Sequence, residues 1–202
     1  MRNKMRLIVA TNNKSKLKEI KKILNGCGLK IISLADLEKR FRIIENGKTF
    51  IENAFKKTLP VSKVYENDYV VGEDSGLEVE YLRGAPGIYS KRYAGPSGNQ
   101  EKNNQKLLKA LSGVNFRQRG AKFICCLVLA KAGKAIKVFQ GELTGKISLK
   151  PKGSNGFGYD PVMYLPAYKK TVAELPLAKK NLISHRTKAF RKLKRVLKGR
   201  GI

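Results

Sequence analysis

The sequence has no tryptophan, one histidine, three cysteines and only 15 acidic residues in 202. With His185 alone and no Cys-x-x-Cys pair, a Cys/His zinc site and a two-histidine metal centre are both excluded. Cys125 and Cys126 are neighbours on a predicted strand and point to opposite faces, while Cys27 stands apart. No disulfide framework can be built from them, so they read as buried, reduced thiols of a cytoplasmic protein. Long apolar runs are also missing. The longest, Phe123 to Ala130, is far short of the roughly 20 residues of a membrane span, and Leu7 to Ala10 is too short for a secretory signal. Neither export nor membrane insertion is expected. GxxxxGK[ST] and GxGxxG are both absent, which rules out a P-loop and a dinucleotide fingerprint.

What the chain has in excess is positive charge: 43 Lys plus Arg, and a formal net charge of +28. Such a surface attracts polyanions, whether nucleic acid, nucleotides or acidic lipids. The basic residues run from Arg2 through Lys4 to Arg200 and are densest after Lys188. There RKLKRVLKGR reads as the polar face of a helix end, with nonspecific polyanion or nucleic-acid affinity as the alternative. No helix-turn-helix, zinc finger or RNP-type strand accompanies it. At 42% hydrophobic the chain can form a sizeable core, and its length suits a single domain over 1–202, or two closely joined lobes.

Apolar spacing predicts the elements. Arg6 to Ala10 reads as a strand, Thr11 to Asn13 as a turn, and Lys14 to Leu24 as a helix with Leu17, Ile20 and Leu24 on one face. Leu29 to Leu34 is a second strand. Thr49 to Tyr65 is a helix opened by Thr49 and Glu52, in which Pro60 predicts a kink or an early stop. Tyr69 to Gly72 is a third strand ending at Glu73 and Asp74, and Leu77 to Tyr81 a fourth. A loop at Gly84 to Gly87 and a helix over Ser97 to Leu111 follow. Ala121 to Lys131 and Ala135 to Gly141 make a hairpin around Gly133, with Gly145 to Leu149 extending the sheet. Lys152 to Asp160 is a glycine-rich loop, and Lys179 to Leu197 one C-terminal helix. The order predicts an α/β fold with a mixed, twisted central sheet flanked by helices.

Four stretches could carry chemistry. Asp74 ends an apolar strand, where a carboxylate can hold Mg²⁺ or orient a water, or simply cap the following turn. Thr11, Asn12, Asn13, Lys14, Ser15 and Lys16 open a helix and suit a phosphate chain, or form an ordinary Thr/Asn cap. In Asn155 to Asp160, glycines flank Phe157, leaving its ring to stack on a flat ligand or to pack on the core. Lys180, Ser184, His185 and Arg186 begin the last helix, and no Ser/His/Asp order accompanies them.

Taken in order, ATNNKSK, TFIENAFKK, EDSGLEV, GAPGIYSKRYAG, GFGYDP, TVAEL and ISHR resemble the inosine/xanthosine triphosphate pyrophosphatase family from about Leu7 to Leu197. The resemblance implies a two-lobed fold with the substrate cleft between the lobes, and hydrolysis of non-standard purine nucleoside triphosphates to monophosphate and pyrophosphate. It implies Mg²⁺ as cofactor and a homodimer. It assigns Asp74 as the proton acceptor and a metal ligand. Substrate contacts are implied for Thr11, Asn12, Asn13, Lys14, Ser15, Lys16, Lys57 and Ser75. Phe157, Gly158, Tyr159 and Asp160 correspond to the base-binding loop, and Lys180, His185 and Arg186 to contacts reading the 6-oxo purine. One departure touches the metal: Ile44 stands where the family usually has a second metal-binding glutamate, and Glu45, one residue later, is the nearest acid. The competing expectation is a basic nucleic-acid-binding protein on the same fold with lapsed catalysis.

Overall fold

A computed structural model describes residues 5–199. The side chain of Ser15, and Arg2, Lys4 and Arg200 of the basic set, lie outside the described residues. The expected mixed α/β architecture is present. The strands β1 (Arg6–Val9), β2 (Lys30–Ser33), β3 (Tyr69–Val79), β4 (Pro86–Gly87), β5 (Gly120–Lys131), β6 (Lys134–Ile147), β7 (Met163–Leu165) and β8 (Lys170–Thr171) form one sheet. Its order is β2-β1-β3-β5-β6-β7-β8, with β4 paired to β3. β1 is parallel to β2 (Arg6 opposite Lys30) and to β3 (Leu7 opposite Tyr69), whereas β4, β7 and β8 are antiparallel to their neighbours. The helices are α1 (Lys14–Leu24), α2 (Phe50–Val64), α3 (Gln100–Ala110), α4 (Leu177–Ile183) and α5 (His185–Gly199).

The chain divides into two compact units. One holds Met1–Asp74, Cys125–Gly141 and Arg186–Ile202; the other holds Ser75–Ile124 and Glu142–His185. In the first unit, side-chain alternation along β3 sorts the packing. Tyr69 and Val71 join Leu7, Val9, Cys125, Leu127 and Leu129 on one sheet face, covered by Ile20 and Leu24 of α1 and by Phe190, Leu193 and Leu197 of α5. Ile8 and Val70 face the other side, against Val61 of α2. The second unit has its own core, in which Leu107 and Leu111 meet Leu77, Phe123, Ile147, Tyr159 and Met163.

Four sequence expectations change. β3 does not stop at Gly72 but runs unbroken through Glu73 and Asp74 to Val79. Gly145 to Leu149 is no separate extension, because β6 runs continuously to Ile147; its hairpin with β5 turns on Ala132 and Gly133, both at positive φ. Of the kink or early stop expected at Pro60, the early stop does not occur, α2 running on to Val64; Pro60 lies on the exposed side, as does Lys56, whose carbonyl it leaves unbonded one turn back. The C-terminal helix is two helices, broken at Ser184, whose backbone is extended (φ −60°, ψ 149°).

Gly72 lets α2 lie close against the sheet. A Cβ there would lie 2.9 Å from the Ala54 carbonyl oxygen and closer still to Thr58 Oγ1. Gly72→Ala should therefore destabilise the chain by about 1–3 kcal/mol through overpacking. Urea denaturation checks this, and an unchanged midpoint would mean that the α2–β3 contact is not as tight as described.

Candidate active site

On the α2 face of β3, three side chains converge. Asn53 and Lys57 are four residues apart on α2 and so share one face, here the buried one. Lys57 Nζ donates to Asp74 Oδ1 at 2.9 Å and to the Glu73 carbonyl at 3.0 Å, and Asn53 Nδ2 donates to Asp74 Oδ2 at 3.1 Å. Both oxygens of Asp74 are thus held, each with accepting capacity left over. Asn53 Oδ1 also accepts from Gly47 N at 2.8 Å, tying down the loop that carries Glu45. Glu45 Oε2 lies 2.9 Å from the same Lys57 ammonium. Burial disfavours the Lys57 charge, but the Asp74 and Glu45 carboxylates outweigh it and raise its pKa above the ordinary lysine value. Ile44 is 60% exposed and supplies no oxygen ligand here.

Two carboxylate oxygens already meeting on one cation make a donor set that fits Mg²⁺, which prefers hard oxygen ligands and keeps several waters. Among the described residues no group of three or more His, Cys, Asp or Glu is assembled for a metal. Further ligands would therefore be water and phosphate oxygens.

On the opposite face of β3 lies a second charged cluster, more deeply buried. Glu73 Oε2 accepts from Arg186 Nε at 2.9 Å, and Glu73 Oε1 lies 2.7 Å from Lys16 Nζ. Arg186 Nη1 also donates to Glu19 Oε2 at 2.8 Å, linking α5 to α1. Burial alone would raise the Glu73 carboxyl; Arg186 and Lys16 instead hold it well below the usual carboxylate range. Cys125 Sγ stands 3.6 Å from Glu73 Oε2, and its pKa is driven well upward, by burial first and by Glu73 second. It is an inert thiol, not a nucleophile.

The turn before α1 carries the cap read as one alternative from sequence. Asn13 Oδ1 accepts from Lys16 N at 3.0 Å and Thr11 Oγ1 from Asn13 N at 3.1 Å. Asn12, Asn13 and Lys14 are exposed.

In the second unit, Lys180 Nζ is paired with Asp160 and stands 4.3 Å from the centroid of the Phe157 ring. Asp160 Oδ2 also accepts from Phe157 N at 2.8 Å. At Gly156, where φ is +88°, a Cβ would lie 2.7 Å from Lys180 Nζ and closer to Asp160, so only glycine fits. Gln100 accepts from Gly158 N, and Asn104 Nδ2 donates to the Gly158 carbonyl at 3.0 Å, so α3 grips the loop on both sides. The two aromatics divide the sequence alternatives. Phe157 is half-exposed, whereas Tyr159 is buried in the core with its hydroxyl on the Ser90 carbonyl at 2.9 Å. Ser75 is half-buried on β3, and the His185 ring stacks on Phe123 at 5.0 Å.

The structure therefore brings Lys57, Asp74 and Glu45 together in one cluster and Lys16 with Arg186 in another. In the second unit it joins Phe157, Asp160 and Lys180 in a third. His185 and Arg186, adjacent in sequence, go to different partners. Sequence reasoning missed Asn53, Glu19, Gln100 and Asn104. Asn53 had a signal, since an amide four residues before Lys57 on the apolar face of a helix is a polar pair at buried positions.

Fold and site together define an α/β protein with a lysine-held carboxylate in a central strand and no Cys/His metal cluster among the described residues. The sequence model of the Ham1 family matches residues 7–196, and the chain belongs to that family. The dITP/XTP pyrophosphatase of Clostridium perfringens is 48% identical over 200 residues, covering 96% of this chain and 98% of its own. The dITP/XTP pyrophosphatase of Geobacter sulfurreducens is 44% identical, with 98% of each chain covered. Among solved structures, the Ham1 protein of Staphylococcus aureus is 38% identical with a TM-score of 0.89, covering 96% of this chain and 99% of its own. The family resemblance read from the motifs is borne out.

Proposed function

We propose that this chain hydrolyses inosine, deoxyinosine and xanthosine triphosphates to the monophosphate and pyrophosphate, removing deaminated purines from the nucleotide pool. The observation that carries this reading is the Asp74 carboxylate fixed by Lys57 and Asn53, beside Glu45, in a chain whose relatives bear the name dITP/XTP pyrophosphatase. Asp74 accepts a proton from a water that attacks the α-phosphorus; the bond from the α-phosphorus to the bridging oxygen breaks, and pyrophosphate leaves with that oxygen. Lys57, Lys16 and the turn Thr11 to Lys16 neutralise and orient the phosphates, with Ser75 as a further contact. When bound at Asp74 and Glu45, Mg²⁺ supplies additional neutralisation of phosphate charge. Phe157 stacks on the base, Gly158, Tyr159 and Asp160 shape its loop, and Lys180, His185 and Arg186 supply donors to the 6-oxo group. An amino group there leaves such donors unpaired, which disfavours adenine. The reading takes residues 1–202 as a single catalytic domain working as a cytoplasmic homodimer.

Pyrophosphate release from inosine triphosphate and from ATP, each with and without Mg²⁺, tests it. Fast release from inosine triphosphate only, and only with Mg²⁺, is the expected outcome. Equal rates on ATP would remove the base specificity, metal-independent release would remove the Mg²⁺ site, and no release from folded protein would point to lapsed catalysis.

A further inference from the structure

Helices α1 and α5 lie side by side on one face of the sheet in the first unit, joined by the Arg186–Glu19 pair and by a common apolar core. Together they carry twelve lysines and arginines and a single acid, Glu19. Lys16, Arg186 and Glu19 are engaged in the buried cluster around Glu73. Besides Lys16 and Arg186 the two helices carry ten cations, of which Lys192 donates to the Gln140 carbonyl at 2.8 Å, and no carboxylate other than Glu19. Lys14, Lys18, Lys21 and Lys22 recur at helical spacing and line a shallow groove along α1 with Leu17 and Asn25. Lys18, Lys21, Lys22, Arg195 and Lys198 are all exposed, and none forms an ion pair among the described residues.

We infer that the outer faces of α1 and α5 form a docking surface for the phosphate backbone of double-stranded nucleic acid. Charge density matches. The two helices are roughly 16 and 22 Å long at 1.5 Å per residue, and a duplex presents one charge per roughly 1.7 Å, so about 13 phosphates lie opposite ten cations. The rest of the surface excludes the other polyanion carriers. The apolar residues of both helices are turned into the core, and none of the exposed large hydrophobics belongs to either helix. Nothing is therefore available to insert into a bilayer. No aromatic ring faces outward from α1 or α5, Phe190 being fully buried, so the stacking platform of single-strand binders is missing. Contact through phosphates alone is sequence-independent and steeply salt-dependent. It leaves Asp74 and its partners untouched, so it coexists with hydrolysis.

Fluorescence anisotropy with a labelled 20-base-pair duplex of arbitrary sequence, titrated between 50 and 200 mM NaCl, measures this. Wild type should bind with Kd about 10⁻⁶–10⁻⁴ M near physiological salt, the range of nonspecific binding. Combining Lys18→Gln, Lys21→Gln, Lys22→Gln, Arg195→Gln and Lys198→Gln should weaken binding at least tenfold at the lowest salt. It should also flatten the slope of log K against log salt by about 4.5, each of the five lost contacts contributing about 0.9. Hydrolysis of inosine triphosphate by that variant should equal wild type. A control combining Lys39→Gln, Lys109→Gln, Lys134→Gln, Lys137→Gln and Lys150→Gln removes the same charge from elsewhere and should change affinity less than threefold. Equal loss in the control would overturn the assignment in favour of diffuse net charge. So would absence of wild-type binding at 50 mM salt, or capture by phosphatidylserine vesicles without capture of the duplex. Because hydrolysis is read separately, failure of the docking surface and failure of the proposed activity give different results.

Discussion

Replacing Asp74 by asparagine should lower kcat for inosine triphosphate by about 100- to 10,000-fold, the range that a positioned general base supplies. The substitution keeps the shape of the side chain and the contact to Lys57 through the remaining carbonyl, and it gives up the hydrogen bond from Asn53 Nδ2, which then faces an amide nitrogen. It removes the negative charge that can accept a proton from water. The cluster around it stays assembled, because Asn53 is anchored independently on Gly47 N and Lys57 on Glu45 and the Glu73 carbonyl. Thermal stability should accordingly change much less than rate, and steady-state pyrophosphate release with a melting curve separates the two. A variant retaining activity within threefold of wild type would show that Asp74 is not the base.

The Arg186→Ala variant should lose about 3–5 kcal/mol of folding stability, the usual consequence of stripping one partner from a buried ion pair. Glu73 is only 3% exposed, and in that variant Lys16 alone would face its carboxylate. Against a typical total of about 5–15 kcal/mol such a loss would be severe. The pH dependence has a defined sign. Arg186 holds the folded carboxyl of Glu73 below its ordinary range. Its stabilising contribution is therefore complete above about pH 4.3, the unfolded value, and fades as pH falls toward the folded value. Without Arg186 the onset stays at the unfolded value but the contribution above it is smaller, so the less stable variant reaches its acid-unfolding midpoint at higher pH. Urea denaturation at pH 7 and acid titration followed by circular dichroism measure both effects. If Arg186→Ala changed only the KM for inosine triphosphate and left stability intact, the Glu73–Arg186 pair would contribute nothing to folding.

Much of the fold was legible because it is local. The helical spacing of Leu17, Ile20 and Leu24 predicts α1 with both its ends, and Thr49 with Glu52 marks the start of α2. Gly133 locates the β5–β6 turn. The motifs single out residues that the fold then draws into three clusters, around Asp74, Glu73 and Asp160. Where local chemistry misleads, a distant partner is the cause. Glu73-Asp74-Ser75-Gly76 reads as a strand end by composition. Instead β3 continues, its Glu73 charge matched by an arginine 113 residues away and its Asp74 charge by a lysine on α2. Likewise Tyr159 and Phe157 are two residues apart in one loop, yet one is buried in the core and the other half-exposed, a difference only packing makes.

The sequence by itself thus determined the family and the order of most elements, since these rest on short-range periodicity and motif spacing. Only the tertiary structure decided which charges meet. It placed Glu45 on Lys57 in spite of Ile44, turned Arg186 onto Glu73 while adjacent His185 stacked on Phe123, and set two lysine-rich helices side by side. Ion pairing acts over a few ångströms between residues far apart in the chain, and no one-dimensional pattern encodes that distance.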